Sequence, residues 1–314
     1  MPTKRYFDFK SYLINRFGEK VYKVTIDAGF SCPNRDGTKG FGGCIYCNSQ
    51  GSKHRKEGKL VTPLKQQIEE GKAFYKKKMN AKKFIAYFQT YTNTYADTET
   101  LKKIYSVPLD DDEIVGISIG TRPDCIDQDK LQLIESLLKY KEEVWIEYGL
   151  QTIHDQTNIF INRGHSLKEF EDAVNLTINR GIKICIHIIV GLPFESRKMI
   201  METANFVAQL PIHGVKIHSL LLLKGTLMEQ IYNKNPFPFM TMEEYVDTVC
   251  DILEILPKHF IIQRLTGDGY RDIFIAPDWC RNKLQVINNI DKELQKRNSF
   301  QGKRLSYLKV GTDK

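Results

Sequence analysis

The chain lacks long apolar runs and internal repeats. None of its 314 residues lies in a run of eighteen apolar residues, so the sequence predicts no membrane span. The N-terminal residues, Met-Pro-Thr-Lys-Arg-Tyr, do not form the apolar stretch of a secretory signal peptide. We therefore expect a protein of the reducing cytoplasm. A hydrophobic fraction of 41% still allows a sizeable core, in one large domain or two small ones.

Three of the seven cysteines lie in one glycine-rich loop, at Cys32, Cys44 and Cys47. In a reducing compartment, three thiolates in one loop predict a metal site before a disulfide framework. The intervening glycines let the backbone wrap closely around a bulky group; they are Gly37, Gly40, Gly42 and Gly43. Of the remaining cysteines, Cys185 and Cys250 lie in apolar or helical patterns that indicate a structural role, whereas the patterns around Cys125 and Cys280 are ambiguous.

The loop has no fourth cysteine. A structural zinc site normally takes four protein ligands, and an ordinary cubane iron–sulfur cluster takes four cysteines. The nearest further ligand is His54, which follows Cys47 by seven residues within a charged run. Three cysteines leave one iron of a cubane open to a small molecule. The alternative is a structural zinc knuckle.

Strand-like and helix-like segments alternate through most of the chain. Apolar or alternating runs predict six strands, at residues 21–27, 84–89, 114–119, 144–150, 182–190 and 215–222. Helical patterns lie between them, at residues 63–80, 127–140, 166–180 and 196–209. This alternation predicts an α/β fold of parallel strands with right-handed crossovers. Six units suit an open partial barrel, although a full eight-stranded barrel or a doubly wound sheet has the same periodicity.

The cysteine loop directly follows the first predicted strand. Since α/β barrels keep their chemistry at the carboxyl ends of their strands, this position favours an active site. Beyond residue 222 the pattern changes, and it predicts a helix at 241–256, a further short strand at 260–265 and an amphipathic helix at 283–297.

The net charge of +8 is unevenly distributed. Residues 53–83 hold eleven Lys/Arg and three Asp/Glu, and residues 281–314 hold nine and three. Residues 84–280 are acidic, with eighteen against twenty-eight. Two separate basic segments favour a polyanionic partner such as a nucleic acid, although a lysine-rich helix can also be a solvated surface.

Several motifs together resemble those of radical S-adenosylmethionine (SAM) enzymes. Cys44-Ile45-Tyr46-Cys47 matches their Cys-x-aromatic-Cys pattern, and the long first spacer resembles the Elongator-type and coproporphyrinogen-oxidase-type branches. The similarity is strongest to the YtqA/YhcC-type (MnmL-like) proteins, and it is carried by residues 26–37, 89–94, 162–165 and 265–268.

This resemblance implies a partial (βα)6 radical SAM barrel over residues 21–225. An N-terminal extension (1–20) would precede it, and a C-terminal helical and strand extension with a basic tail (226–314) would follow. Cys32, Cys44 and Cys47 would hold a [4Fe–4S] cluster, with SAM on the open iron. One electron from a reductant such as flavodoxin or ferredoxin would cleave SAM and generate a 5′-deoxyadenosyl radical, which abstracts hydrogen from an unactivated carbon.

The resemblance also implies SAM-binding roles for residues at strand ends. Tyr46 is the aromatic residue of the cysteine motif. Gln89 and Thr90 stand where relatives hold the methionine ammonium group of SAM. Gln151 and Arg163 match a Gln…Asn-Arg pair that contacts SAM, and an arginine fork suits both oxygens of the methionine carboxylate.

The fifth predicted strand carries His187, where the resemblance implies contact with the adenosine of SAM. Relatives often have an acidic residue at this position, and a histidine in an apolar strand can equally be a core residue. Some relatives place a SAM-binding glutamate at the end of the third strand, where this chain has Gly120. Glu147 is a candidate replacement.

Members of the resembling family in Gram-positive bacteria are implicated in maturing the wobble uridine of tRNA. The implied step converts a 5-carboxymethylaminomethyl group to a 5-aminomethyl group. In this hypothesis, Arg122 or Arg264 holds the carboxylate of the substrate. An extruded base would stack on Tyr91 or on another tyrosine, of which Tyr95 and Tyr270 are candidates.

Two other functions fit the same sequence. A radical SAM enzyme that acts on a small molecule or a protein would use the same cofactor residues. A non-enzymatic, zinc-dependent RNA-binding protein would use the cysteines and the basic segments without SAM.

Overall fold

A seven-stranded parallel sheet forms the centre of the molecule. The structure is a computed structural model, and it describes residues 4–48, 55–56, 59–60, 62–267 and 272–305. His54, Asp268, Tyr270 and the tail from residue 306 onward therefore lie outside the described residues.

The strands occur in chain order as β1 (Val21–Ile26), β2 (Arg55–Lys56), β3 (Lys59–Leu60), β4 (Lys83–Phe88), β5 (Ile114–Thr121), β6 (Glu143–Gln151), β7 (Lys183–Val190), β8 (Gly214–Ser219), β9 (Leu222–Leu223), β10 (Ile261–Arg264) and β11 (Phe274–Ala276). The helices are α1 (Phe9–Phe17), α2 (Leu64–Met79), α3 (Thr98–Ser106), α4 (Gln128–Ser136), α5 (Asp155–Phe160), α6 (Leu167–Thr177), α7 (Arg197–Ala208), α8 (Leu227–Lys234), α9 (Met242–Ile255) and α10 (Lys283–Lys296).

The main sheet has the order β1-β4-β5-β6-β7-β8-β10, and every neighbouring pair is parallel. The predicted α/β partial barrel is therefore confirmed, with β10 as a seventh strand. Because β10 joins the same sheet, the predicted boundary at residue 225 separates one strand from the other six, and it stays a prediction. Among the described residues, no helix is long and apolar enough to cross a membrane.

Strand β6 shows how the barrel is layered. Val144, Ile146 and Tyr148 are buried in the core between the sheet and the outer helices. The alternate residues face the barrel interior, because side chains in a strand alternate between the two faces. From the amino end to the carboxyl end they are Trp145, Glu147, Gly149 and Gln151. From the amino end to the carboxyl end of β6, the interior is therefore lined first by an aromatic ring, then by a charged group, and finally by a glycine and an amide.

The N-terminal segment closes the amino end of the barrel. The ring of Trp145 packs edge-on against Phe9 and Tyr12, with centroids 5.7 and 6.1 Å away. Ile262 N donates to the carbonyl of Phe7 at 2.8 Å, which joins this segment to β10. The edge strands also meet inside the barrel, where Lys23 Nζ of β1 donates to Gln263 Oε1 of β10 at 2.8 Å.

Candidate functional site

A cavity of about 340 Å³ opens at the carboxyl ends of the sheet strands. Its wall contains all three cysteines of the glycine-rich loop. The structure also brings most of the other residues singled out in the sequence to this cavity, although they come from distant parts of the chain. The predicted residues that line it are Tyr46, Gln89, Thr90, Tyr91, Arg122, Glu147, Gln151, Arg163 and His187.

The cysteine loop is held by short-range backbone turns. The carbonyl of Cys32 accepts hydrogen bonds from Arg35 N (2.8 Å) and Asp36 N (3.2 Å), and Cys47 N donates to the carbonyl of Cys44 at 2.9 Å. Gly43 has a φ of +78°, and a Cβ there would lie 2.9 Å from Cγ of Arg35. A glycine is therefore required at this turn, since it has neither the strain nor the clash.

A second segment, residues 162–165, is clamped onto the cysteine loop. The side-chain amide of Asn34 donates to the carbonyl of Asn162, and Asn162 Nδ2 donates to the carbonyl of Gly43 at 2.8 Å. Gly164 has a φ of +72°, and a Cβ there would lie 2.5 Å from Asn34 Oδ1. The Asn162-Arg163-Gly164-His165 motif thus supports the loop directly.

Burial and mutual repulsion make the thiolate forms of Cys44 and Cys47 unfavourable without a positive group between them. Burial and, second, the neighbouring Cys44 raise the pKa of Cys47 to about 12, whereas Arg35 opposes the shift. The pKa of Cys44 is also raised, first by burial. Tyr46 lies close to both thiols, and its own pKa is raised by burial and then by Cys44 and Cys47.

The number of cysteines in the loop suits a cubane cluster with one open iron. A structural zinc site needs four ligands around one ion, whereas a cubane spreads its cysteines over different irons. Within the described part of the chain, no three His, Cys, Asp or Glu side chains are placed to hold one metal ion. An iron–sulfur cluster would supply the positive charge that the three thiolates need.

The ends of β4 and β6 place polar groups beside the cysteines. Gln151 Oε1 is buried and has no hydrogen-bond partner among the described residues. Gln151, Thr90 and Tyr91 have φ values of +61°, +118° and +62°, which are unusual for residues with side chains. Strained backbone of this kind persists where the surroundings impose it, and it is frequent at ligand sites. An unpartnered acceptor in the cavity wall fits the ammonium group of SAM.

Arg163 has a different environment from the one we predicted. Its guanidinium donates to the carbonyls of Leu150 (2.6 Å), Thr152 (2.8 Å) and His165 (3.1 and 2.8 Å). These bonds occupy four of its five N–H groups, so one N–H is left for a carboxylate. Burial lowers the pKa of Arg163 to about 10. The predicted contact of Arg163 with the methionine carboxylate of SAM stays a prediction.

Arg122 is also already paired. Its Nε and Nη2 each donate to a different oxygen of Asp124 at 2.9 Å, and Nη1 donates to the carbonyl of Arg163 at 2.6 Å. Burial lowers the pKa of Arg122, but Asp124 outweighs that effect and keeps it raised. The prediction that Arg122 holds a substrate carboxylate is therefore not supported, because Asp124 already neutralises its charge.

Sequence reasoning gave no role to several polar residues in the cavity wall, of which Arg35 and His165 have the most informative surroundings. Arg35 Nη1 is buried without a partner among the described residues, and its guanidinium lies 4.9 Å from the ring centre of Tyr91. His165 contacts the carbonyl of Gly149 through Nε2 at 3.1 Å, and burial lowers its pKa to about 2. Both residues lie inside motifs that the sequence analysis had singled out, at residues 26–37 and 162–165, and that position was the only sign of a role in the site.

Charged and polar side chains form the floor of the cavity. Glu147 Oε1 accepts hydrogen bonds from Lys23 Nζ (2.6 Å) and Ser118 Oγ (2.6 Å). Its Oε2 accepts from Lys216 Nζ and lies 2.8 Å from His187 Nε2. His187 is thus neither a core residue of an apolar strand nor free. Burial lowers its pKa to about 4. Arg264 does not line the cavity, but it lowers the pKa of both His187 and Lys216.

Part of the basic charge is used inside the protein. Lys72 of α2 is buried and ion-paired with Asp111 and with Glu113 (2.7 Å). In the second basic segment, Arg297 pairs with four acidic residues, which are Asp247, Asp251, Glu254 and Glu293. The remaining lysines of α2 are exposed, including Lys65, Lys77 and Lys78.

Comparisons with known proteins agree with the motifs in the site. The family model described as the radical SAM superfamily matches residues 34–207, and the Radical_SAM C-terminal domain model matches residues 212–296. The uncharacterized protein YtqA of Bacillus subtilis is 45% identical over 300 residues, which are 96% of this chain and 92% of YtqA.

Two further similarities concern Elongator-type proteins. A tRNA uridine(34) acetyltransferase of Dehalococcoides mccartyi is 26% identical over 160 residues, covering 49% of this chain and 33% of that protein. The solved structure of Elp3 from Methanocaldococcus infernus has a TM-score of 0.64 at 17% identity, covering 90% of this chain and 64% of that one. At this identity the second similarity concerns the fold alone.

Proposed function

Because the chain belongs to the radical SAM superfamily, we propose that it modifies the wobble uridine of tRNA through hydrogen-atom abstraction. The family's cofactors are a [4Fe–4S] cluster and SAM. The proposed step converts the 5-carboxymethylaminomethyl group, with or without a 2-thio group, to the 5-aminomethyl group. The methylene beside the carboxylate would be oxidised by two electrons with SAM as the oxidant, and water would then cleave its bond to the amino nitrogen and release the two carbons as glyoxylate. When reduced by one electron, the cluster and SAM supply hydrogen abstraction from an unactivated carbon.

The protein's own residues have distinct proposed roles in this reaction. Cys32, Cys44 and Cys47 hold the cluster, and the clamp between Asn34 and Asn162 fixes their loop. The unpartnered Gln151 Oε1 and the side chains at the end of β4, Gln89 and Thr90, accept hydrogen bonds from the SAM ammonium group. The unpartnered N–H of Arg35 is available for the methionine carboxylate.

One observation carries the enzymatic part of the proposal. The three cysteines and the unpartnered Gln151 Oε1 meet in one cavity at the carboxyl ends of parallel strands. The polar floor at His187 and Glu147 lies in the same cavity, and proximity to the SAM adenosine stays a prediction for His187. Enclosure within the barrel would shield a reactive intermediate from water.

The tRNA part of the proposal has two supports. Half of this chain is similar to a protein described as a tRNA uridine(34) acetyltransferase. Helix α2 also presents exposed lysines together with Phe74, whose side chain is 50% exposed. Cations beside an exposed aromatic ring suit phosphates and bases. Tyr91 lines the cavity but already packs on Arg35, so its stacking on a base stays a prediction.

Cluster content and SAM cleavage test the enzymatic part. Anaerobically purified protein should be brown and contain about four irons per chain. We expect Cys44→Ala to lose the cluster and the reductive cleavage of SAM, whereas Cys250→Ala, at a buried cysteine far along the chain, should keep both. A colourless wild-type protein with one zinc would instead favour the zinc-dependent RNA-binding alternative.

Nucleoside analysis tests the substrate. We expect tRNA from a deletion strain to accumulate 5-carboxymethylaminomethyluridine derivatives and to lose the products of the 5-aminomethyl group. Expression of the wild-type chain should restore the pattern, and the Cys44→Ala chain should not. An unchanged set of wobble uridines, with active SAM cleavage in vitro, would favour a small-molecule or protein substrate.

A further inference from the structure

Behind the cavity wall, two lysines pair with one carboxylate, that of the wall residue Glu147. Lys23 Nζ lies 2.6 Å from Glu147 Oε1, and Lys216 Nζ contacts Oε2 of the same group. Within the described residues, no second carboxylate is ion-paired with either lysine. When both lysines are protonated, the local balance of these three groups is one positive charge.

This excess charge is hidden from water. The side chain of Lys216 is 5% exposed, that of Lys23 18%, and that of Glu147 is fully buried. Glu143, near the amino end of the barrel, gives a useful contrast. It also pairs with two cations, but one of them, Arg16, is 39% exposed and can be solvated. The excess positive charge near Glu147 has no such access to water, so an additional anion would stabilise it.

Two further polar groups near the lysines lack partners. Gln263 uses Oε1 to accept from Lys23, but its Nε2 is buried without a partner among the described residues. His218 Nε2 is also buried without a described partner, and its ring is tilted against His187 at 5.2 Å. A buried amide donor is normally satisfied, so Gln263 Nε2 indicates a missing acceptor. His218 Nε2 can donate or accept, depending on its tautomer.

The polar floor is reachable from the cysteine site. Tyr87, Glu147 and His187 belong both to the lysine environment and to the cavity wall. Lys216 donates to the hydroxyl of Tyr87 at 3.0 Å and lies 4.3 Å from its ring centre. A ligand that extends from the cysteines towards the floor would meet these residues last.

We propose that Lys216 binds a carboxylate of the substrate, with Lys23 adding its positive charge and Gln263 and His218 as neighbouring hydrogen-bonding groups. The three N–H groups of Lys23 are taken by Ser118, Glu147 and Gln263. The third N–H of Lys216 and the amide of Gln263 can each donate to a carboxylate oxygen in a site with little water. The assignment of this anion to the 5-carboxymethylaminomethyl group rests on the proposed function. This site replaces Arg122, which is neutralised by Asp124.

Binding of matched charged and neutral ligands tests the proposal. The reconstituted enzyme with SAM would be titrated calorimetrically with 5-carboxymethylaminomethyluridine and with its carboxamide. In parallel, melting temperatures would be compared in acetate and in acetamide at equal ionic strength. We expect wild-type enzyme to prefer each carboxylate, by roughly 10- to 100-fold for the nucleoside. Lys216→Met should lose most of this preference.

Lys183→Met is the matched control. Lys183 lies on β7, is 19% exposed, and pairs with Glu143 at 3.2 Å at the other end of the barrel. It should keep the carboxylate preference. If Lys216→Met fails to fold, as judged by circular dichroism, Lys23→Met provides the same test and leaves Glu147 paired with Lys216.

The outcomes separate this site from the proposed substrate. A preference for acetate that is lost in Lys216→Met, together with an unchanged set of wobble uridines in the deletion strain, supports the anion site and contradicts the wobble-uridine assignment. Equal response to acetate and acetamide in wild-type enzyme, or a preference that survives both lysine substitutions, overturns the anion site.

Discussion

Residue type alone did not reveal which arginines are free. Arg122 and Arg163 both reach the cavity, but their N–H groups are largely taken by Asp124 and by main-chain carbonyls. Both arginines therefore stabilise the protein around the site. Substitution of either one should first lower the stability of the fold and the retention of the cluster.

Arg163→Lys tests this stabilising role. Lysine keeps the positive charge but cannot reach three carbonyls with a planar fork, so we expect a loss of about 2–4 kcal/mol in the free energy of unfolding. Urea unfolding, followed anaerobically by circular dichroism, measures it. Lys168→Ala is the control, because Lys168 is 75% exposed in a helical ion pair and should change stability by no more than about 0.5 kcal/mol. Equal values for both variants would contradict the assigned role.

The protonation of Lys216 should make carboxylate binding depend on pH. Burial and the nearby cations Lys23 and Arg264 lower its pKa to about 7, although Glu147 opposes the shift. A bound anion favours the charged lysine and raises its pKa. Affinity for a carboxylate should therefore be constant below pH 7 and fall as pH rises above it, by up to tenfold per unit.

The other groups that face Lys216 should not change charge in this range. The pKa of Glu147 and those of both histidines lie below their usual values, and that of the tyrosine lies above it; these residues are Glu147, His187, His218 and Tyr87. Calorimetric titrations between pH 6 and 9 measure the dependence, with the carboxamide as a pH-independent control. A carboxylate affinity that rises with pH would contradict this assignment.

The sequence predicted the residues of the cavity better than their partners. Cysteine spacing and strand-end positions identified Cys32, Cys44, Cys47 and Gln151, because local motifs reflect local geometry. Lys216 could not be selected, since a lysine in an apolar strand has no recognisable direction until strand register is known. The carbonyls that surround Arg163 likewise come from folding of β6 and its following loop.

At the level of elements, the cysteine loop depends on its clamp to residues 162–165. Gly164→Ala should disrupt that clamp, because its Cβ would lie 2.5 Å from Asn34 Oδ1. Gly42→Ala is a close control: its φ of +78° is similar, but no atom lies within 4 Å of the added carbon. Backbone strain should lower the free energy of unfolding of both variants by about 1 kcal/mol. The clash with Asn34 should lower that of Gly164→Ala by about 1–3 kcal/mol more.

Iron content provides a second measurement for this glycine pair. After identical anaerobic reconstitution, we expect less iron per chain in Gly164→Ala than in Gly42→Ala. Equal iron content and equal melting temperatures would show that the clamp does not support the loop.

Length explains only in part which elements were predicted. The long apolar strands and six of the helices were predicted to within a few residues, because their periodicity is visible in the sequence. Four helices were not predicted, which are α1, α3, α5 and α8. Helices α5 and α8 are shorter than the predicted ones, but α1 and α3 have nine residues, as many as the predicted α4. Strand β10 has only four residues, and its place in the sheet depends on pairing with β8 rather than on its own sequence.

For the whole molecule, composition overestimated the free basic surface. The ion pairs of Lys72 and Arg297 leave the exposed lysines of α2 as the stronger candidate for phosphate contacts. Counting charges in the sequence cannot distinguish ion-paired basic residues from free ones, because the acidic partners lie far along the chain.

A double charge reversal tests the α2 surface. We expect Lys77→Glu/Lys78→Glu to weaken tRNA binding and to lower the slope of log affinity against log salt by about 1.4–1.8 or more. Filter binding at several salt concentrations measures both values. Lys168→Glu/Lys198→Glu, at exposed lysines of α6 and α7, is the matched control and should have a smaller effect. Similar losses in both variants would indicate a general charge effect.

A hydrogen bond between distant parts of the chain has a consequence for synthesis on the ribosome. Phe7 N donates to Gln301 Oε1, so this bond cannot form until residue 301 has been translated. At about 5–20 residues per second, roughly 15–60 s separate their translation. The contact between Phe7 and Gln301 cannot form during that interval, whereas residues 162–165, which clamp the cysteine loop, are translated just after its midpoint. The nascent chain can therefore organise its cysteines well before the barrel is sealed.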